Sequence, residues 1–106
     1  MANLTYTELE KLLLELKNER YLCELDKEAF VKRLCYYISE LNVLHPFREG
    51  NGRTIREFIR QLALKNGYIL NLKRILPREM LEAIKKSVID TSHLEELINS
   101  CLEKIK

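Results

Sequence analysis

Apolar residues recur at intervals of three and four along almost the whole chain, and this spacing is typical of helices. Leu9, Leu12, Leu13 and Leu16, for example, would lie on one face of a helix. Three glycines and two prolines fall between such segments, where these residues commonly end or begin helices. No run alternates apolar and polar residues as a central strand would. The pattern therefore predicts an all-α fold, a compact array of about five helices.

Capping signals place the ends of these helices. Asp26 is the expected N-cap of the second helix, Gly67 the left-handed residue after the third, and Pro77 part of the first turn of the fourth. Tyr68–Leu72 reads as a connector. The fourth helix carries Leu81, Ile84 and Val88, and the fifth is capped by Asp90 or Thr91. The inward residues expected on the fifth helix are Leu94, Leu97, Ile98, Cys101 and Ile105.

Composition excludes several classes of protein. A chain of 106 residues is the size of one small domain. Its 18 basic and 16 acidic residues leave a net charge of +2, which argues against a nucleic-acid surface, because such surfaces carry a basic excess. No apolar run approaches the roughly 20 residues that cross a bilayer. Cys23, Cys35 and Cys101 are too few for a disulfide framework, so we expect a cytoplasmic protein, with secretion into another cell left open.

A polar loop interrupts the helical pattern at His45-Pro-Phe-Arg-Glu-Gly-Asn-Gly-Arg-Thr-Ile-Arg56. Two glycines flank Asn51 immediately before a predicted helix, and glycine lets the backbone approach a ligand closely. The first turn of a helix presents unpaired N–H groups, which bind anions. Arg53 and Arg56 are three residues apart and share a face, so both can reach phosphate oxygens. This half of the loop predicts a phosphate site.

The first half of the loop adds chemistry to that site. Glu49 stands beside the basic residues, as expected if Mg²⁺ joins a carboxylate to phosphate. His45 can accept a proton from a hydroxyl near neutral pH. Phe47 is the expected apolar anchor of the loop. Each feature alone has an ordinary structural explanation, such as a hydrogen-bonded histidine, a glycine turn or a solvated arginine pair. Their ordered combination is what predicts a site for a nucleotide triphosphate and its metal.

The same residues resemble the signature of the Fic (Fido) family, H-x-F-x-[D/E]-G-N-[G/K]-R-x-x-R, at every defined position. The flanking segments Ser39–Leu44 and Phe58–Tyr68 are also similar to those of bacterial Fic proteins of the cell-filamentation type. The resemblance covers about residues 5–105. It implies an α-helical fold and an enzyme that transfers AMP from ATP to a hydroxyl group of a target protein.

The resemblance also implies a role for each residue of the motif. His45 would deprotonate the target hydroxyl, and Glu49 would hold Mg²⁺. The residues expected around the phosphates are Gly50, Asn51, Gly52, Arg53 and Arg56. The phosphorylating branch of the family has lysine where this chain has Gly52, so the resemblance favours AMP transfer over phosphoryl transfer. Implied partners are ATP, a target protein and an inhibitory antitoxin or inhibitory helix.

Two departures from the family pattern lead to further expectations. Fic enzymes carry a β-hairpin flap upstream of the motif, whereas about forty residues precede His45 here and read as two helices. We therefore expect residues 1–106 to be a single truncated Fic domain, whose uncovered apolar surface favours a homo-oligomer. An impaired remnant that binds nucleotide or protein is the alternative. Ser92 and Glu96 have the spacing of an inhibitory motif, but Leu97 breaks it, so we expect a solvated Glu96 and a surface His93.

Overall fold

The computed structural model describes the backbone of residues 2–44 and 51–105, and the side chains of residues 8–43 and 55–105. Five helices dominate, as the sequence predicts: α1 (Ala2–Asn18), α2 (Lys27–Leu44), α3 (Asn51–Lys65), α4 (Pro77–Lys86) and α5 (Ser92–Cys101). Two short strands, β1 (Tyr68–Leu70) and β2 (Leu102–Lys104), pair antiparallel with Tyr68 opposite Lys104. No helix in these ranges is long and apolar enough to cross a membrane.

Helix α2 is the centre of the fold, and α1, α3, α4 and α5 all pack against it. The helical spacing of the sequence predicts an inner stripe on this helix, which Cys35 and Tyr37 broaden. All of its residues are buried, each exposing 7% or less of its surface: Phe30, Leu34, Cys35, Tyr37, Ile38 and Leu41. At its start the Asp26 carboxylate accepts a hydrogen bond from the Ala29 backbone N–H, at 2.8 Å, so the predicted N-cap is confirmed. Burial of this face holds α2 against the core, and the polar loop begins where the helix ends.

The sequence predicts that helix α3 has an inner face of Ile55, Phe58, Ile59 and Leu62. Ile55, Ile59 and Leu62 are buried, and Phe58 packs against the core at its edge. The helix is followed by Gly67 with φ +83°, which confirms the predicted left-handed residue. One face of α3 is therefore held by the core, and the opposite face is free to carry polar side chains.

The connection between α1 and α2 contains an unusual backbone segment, the left-handed turn Arg20–Leu22. Its three residues have φ of 56°, 55° and 66°, and Glu24 beyond it has φ 72°. Residues other than glycine disfavour this left-handed backbone region. Burial of Leu22 and a 2.9 Å hydrogen bond from the Asn66 amide to the Tyr21 carbonyl hold the turn in place. Nothing in the sequence pattern predicted it.

Helix α4 differs from its prediction in the face that it buries. Pro77 begins the helix and the predicted Ile84 is buried, but Met80 and Ala83 share the buried face with it. Leu81 is 39% exposed, and Val88, which lies beyond the helix end, is 62% exposed. Packing against α2 and α5 selects this face.

The C-terminal prediction was also wrong in part. Helix α5 ends at Cys101, and the chain continues as β2, leaving Ile105 44% exposed. The predicted connector after Gly67 is strand β1. Three residues per strand are too few for an alternating pattern, and the partner strand lies far along the chain, so local sequence carries no signal for this pair.

Candidate functional site

The polar loop joins the end of α2 at Leu44 to the start of α3 at Asn51. Its six central positions, 45–50, lie outside the residues that the structure describes. The predicted roles of four residues therefore stay predictions: His45, Phe47, Glu49 and Gly50. What the structure does show is that the packed helices α2 and α3 hold both ends of the loop.

The first turn of α3 is built from the second half of the motif. The backbone of Asn51, Gly52 and Arg53 is helical, so the half of the motif that is predicted to bind anions coincides with a helix N-terminus. That turn contains no acidic residue. The positive end of the helix dipole and the unpaired N–H groups are therefore not neutralised by a carboxylate within the turn. This arrangement suits a bound anion.

Arg56 and Arg60 occupy successive turns of α3 but differ in their partners. The Arg60 guanidinium donates to both carboxylate oxygens of Glu57, at 2.7 and 2.8 Å, and this hydrogen bonding lowers the pKa of Glu57. Arg56 is exposed and makes no hydrogen bond or ion pair with any residue in the described ranges. Its charge is thus available to a ligand, whereas that of Arg60 is already balanced.

Residues 8–43 and 55–105 contain no group of three or more histidine, cysteine or acidic side chains that could hold a metal ion. The predicted metal ligand, Glu49, lies outside the described positions. The magnesium prediction therefore rests on the motif alone.

Helix α5 shows no sign of the inhibitory contact considered from the sequence. Glu96 is exposed, and among the described residues it forms no ion pair with Arg56. Ser92 is engaged locally, because its N–H and hydroxyl both donate to the Asp90 carboxylate, at 2.9 and 2.6 Å. The expectation for His93 was wrong, since it is partly buried, with an Nδ1 atom that has no partner within the described part of the chain.

A polar cluster between α1 and α2 was missed by the sequence interpretation. Arg33 donates to Glu15 and Glu19, Tyr37 donates to Glu19, and Tyr36 donates to Glu15 at 3.0 Å. The Arg33 guanidinium also lies 4.4 Å from the centre of the Tyr36 ring. An arginine directly before buried Leu34 was the available signal, because a charge so close to the core needs acidic partners.

Comparison with known proteins agrees with this arrangement of loop and helices. A model of the Fic/DOC family matches residues 2–63. The chain belongs to the Fic/DOC family. The match includes the whole motif, from the end of α2 through the first turns of α3.

Among curated Fic proteins, a protein adenylyltransferase, VbhT, of Bartonella schoenbuchensis is 45% identical over 93 residues, which are 84% of this chain and 20% of the relative. A probable protein adenylyltransferase Fic of Salmonella typhimurium is 38% identical over 96 residues, 90% of this chain and 48% of that protein. The chain thus spans at most about half the length of these two relatives.

Solved structures share the fold. The N-terminal Fic domain of a putative cell filamentation protein from Bartonella quintana, with bound ADP, has a TM-score of 0.89 and 27% identity, over 96% of this chain and 49% of that one. The type IV secretion system effector protein BepA has a TM-score of 0.84 and 32% identity, over 93% of this chain and 34% of that one. The helical array described above is therefore the Fic fold.

Proposed function

We propose that this chain is the core of a protein adenylyltransferase, which transfers AMP from ATP to a hydroxyl group of a target protein. The observation that carries the proposal is the unbroken motif, whose second half begins α3 with a first turn that contains no acidic residue. Two relatives named as protein adenylyltransferases, and a related Fic domain with bound ADP, support the same reading.

In the proposed reaction the target hydroxyl oxygen forms a bond to the α-phosphorus of ATP. The bond from that phosphorus to its bridging oxygen breaks, pyrophosphate leaves, and His45 takes the hydroxyl proton. The donors proposed for the charge that develops on the α-phosphate are Gly50, Asn51 and Gly52. Arg53 and Arg56 would bind the outer phosphates. Glu49 would hold Mg²⁺, which when bound neutralises phosphate charge.

The first experiment follows the label from ATP that carries it on either the α- or the γ-phosphate. AMP transfer predicts labelling of the chain or a target from the α-position alone, with loss of labelling in His45→Ala and after chelation of magnesium. His93→Gln is the matched control, because it changes the chain's other histidine and should leave labelling unchanged. Labelling from the γ-position would show phosphoryl transfer instead, and labelling that survives His45→Ala would remove His45 as the base.

Thermal unfolding with ATP and Mg²⁺ separates the enzyme from the alternative of a binding module. ATP at a hundred times its dissociation constant should add about 2.7 kcal/mol to the free energy of unfolding. A shift without AMP transfer would favour an impaired nucleotide-binding remnant, and no shift at millimolar ATP would contradict a nucleotide site. The target protein, an inhibitory antitoxin, a homo-oligomer and a cytoplasmic location stay predictions.

A further inference from the structure

A groove of about 480 Å³ runs along α2 on the side that faces the connection between α4 and α5. We call it the side groove. Its two walls come from distant parts of the chain. One wall is a stripe of α2 with the spacing of successive helical turns, Lys32, Tyr36, Glu40 and Val43, and the other contains Val88, Thr91 and Glu95. From Lys32 to Val43 the helical wall is about 17 Å long, or three turns.

Ser39 lines the side groove with a polar group that lacks a partner. The residue is only 6% exposed, and its hydroxyl makes no hydrogen bond with any residue that the structure describes. Ser87 on the opposite wall differs, since its hydroxyl donates to the Ile84 carbonyl at 2.5 Å. His93 Nδ1 is the one buried side-chain polar atom without a partner among the described residues, so the Ser39 hydroxyl is not sealed from solvent. It is therefore open to a hydrogen bond with a polar group of a molecule seated in the groove.

Two acidic and two basic side chains line the side groove. Glu40 and Glu95 form no ion pair within the described parts of the chain. The Glu95 charge reaches α2, because it adds to the effect of burial in raising the pKa of the Cys35 thiol. The two basic residues are already paired, Arg33 with Glu19 at 2.5 Å and Lys32 with Glu28 at 3.8 Å. The carboxylates of Glu40 and Glu95 therefore favour a cationic occupant and disfavour nucleic acid or an anionic membrane.

Apolar side chains also line the side groove. Val43 on α2 is 59% exposed and Val88 on the opposite wall is 62% exposed. Ile89, next to Val88, is 95% exposed. Two valines that line one groove from opposite walls offer contacts to an apolar side chain inserted between them, which a small inorganic cation could not use.

We propose that the side groove docks a basic amphipathic helix of a partner protein. Its apolar residues would contact Val43 and Val88, a lysine or arginine would meet Glu40 and Glu95, and a polar group would pair with Ser39. A helix is the proposed form of the occupant because the α2 wall of the groove is about three helical turns long. This inference does not depend on AMP transfer.

The test uses two synthetic helical peptides of about four turns with the same leucine stripe, one with lysine and one with glutamate at the flanking positions. Each is titrated into the isotope-labelled chain while backbone amide resonances are followed. The lysine peptide should shift resonances of residues 36–43 and 87–95, and the glutamate peptide should not. The double variant Glu40→Gln/Glu95→Gln should weaken binding of the lysine peptide about tenfold.

Two matched variants complete the design. Glu82→Gln removes an exposed carboxylate on α4 outside the groove and should leave binding unchanged. Val88→Ser should weaken binding without altering charge. Equal binding of both peptides, equal weakening by Glu82→Gln, or absence of any shift at millimolar lysine peptide would each overturn the proposal. None of these results depends on ATP, so they leave the proposed enzymatic function untouched.

Discussion

Arg33 on α2 donates two hydrogen bonds to Glu19 at the end of α1, from Nε to Oε1 at 2.8 Å and from Nη2 to Oε2 at 2.5 Å. Tyr37, which is 1% exposed, donates to the same carboxylate. The three residues thus bind α1 to the helix that leads into the motif. Paired donors on one carboxylate form a strong and directional contact.

We expect Glu19→Gln to lower the free energy of unfolding by about 1–2 kcal/mol, because Arg33 loses its charged partner and Tyr37 its acceptor. Glu8→Gln is the matched control. Its 3.6 Å pair with Lys11 is exposed, so its loss should cost almost nothing. Thermal or urea unfolding of the two variants measures their loss in free energy of unfolding. Equal losses would contradict a specific contribution from the Glu19 contact.

The same contact predicts a dependence on pH. Hydrogen bonding from Arg33 lowers the pKa of Glu19, against the opposing effect of burial and with further help from Tyr37. A carboxyl whose pKa is lower in the folded state adds stability above its unfolded pKa and loses it as pH falls through the folded value. The difference in free energy of unfolding between the native chain and Glu19→Gln should therefore be largest at neutral pH and disappear below about pH 4. A difference independent of pH would contradict the assignment.

Glu24 occupies the left-handed region with φ 72°, where glycine has no side-chain penalty. We expect Glu24→Gly to raise the free energy of unfolding by about 0.5–1 kcal/mol, since relief of the strain exceeds the added flexibility of the unfolded chain. Glu24→Ala removes the same exposed pair with Arg20 but keeps a Cβ atom, so it should show no gain. Calorimetry compares the two variants.

Removal of the α2 cap should destabilise the helix that precedes the motif. Asp26→Ala loses the hydrogen bond to the Ala29 N–H and should cost about 1 kcal/mol, whereas Asp26→Asn keeps an oxygen acceptor and should cost only a few tenths. Chemical unfolding provides the measurement. A similar loss in both variants would point to the charge of Asp26 rather than to its cap geometry.

Arg56 and Arg60 offer a paired test of the proposed phosphate contact. Arg56→Ala should lower AMP transfer about a hundredfold, because it removes from the proposed site a cation that has no partner among the described residues. Arg60→Ala, one turn later, removes an arginine already paired with Glu57 and should change transfer less than about twofold. Initial rates of labelling measure both. Equal losses would mean that α3 needs its overall charge and not a specific contact from Arg56.

The cysteines should differ in reactivity. Burial, with the Glu95 charge, raises the pKa of the Cys35 thiol, and Cys35 and Cys101 are fully buried. Cys23 is partly exposed. The thiolate is the reactive form, so a mild alkylating agent should modify Cys23 alone in the folded chain and all three thiols after unfolding. Mass spectrometry counts the adducts, and modification of folded Cys35 would contradict its placement.

The parts of the fold that depend on local pattern were predicted from the sequence. The prediction of the buried α2 stripe was correct because Phe30, Leu34 and Ile38 repeat at helical spacing with no competing stripe. In α4, Leu81 competes with Met80 and Ala83 for the core, so only tertiary packing decides which face is buried. Pairing of β1 with β2 depends on contact between remote segments, which no local pattern reveals.

The same distinction applies to the functional surfaces. The motif was recognisable because its residues are consecutive in the chain, and their order carries the signal. The side groove was not recognisable from the sequence, because Ser39 on α2 and Val88 beyond α4 line the same groove only in the folded chain. The left-handed turn was missed for a related reason, since Asn66 holds Tyr21 from a distant segment.

The short sheet has a practical consequence for attaching this protein to a surface or a label. The Ile105 N–H donates to the Gly67 carbonyl at 2.8 Å, which fastens the residues after β2 beside the end of α3. Helix α3 has 15 residues and is about 22 Å long, and the motif occupies its other end. A fluorophore or biotin linked after residue 105 would therefore sit about a helix length from the motif and leave it open to nucleotide, whereas an attachment at Val43 would crowd it.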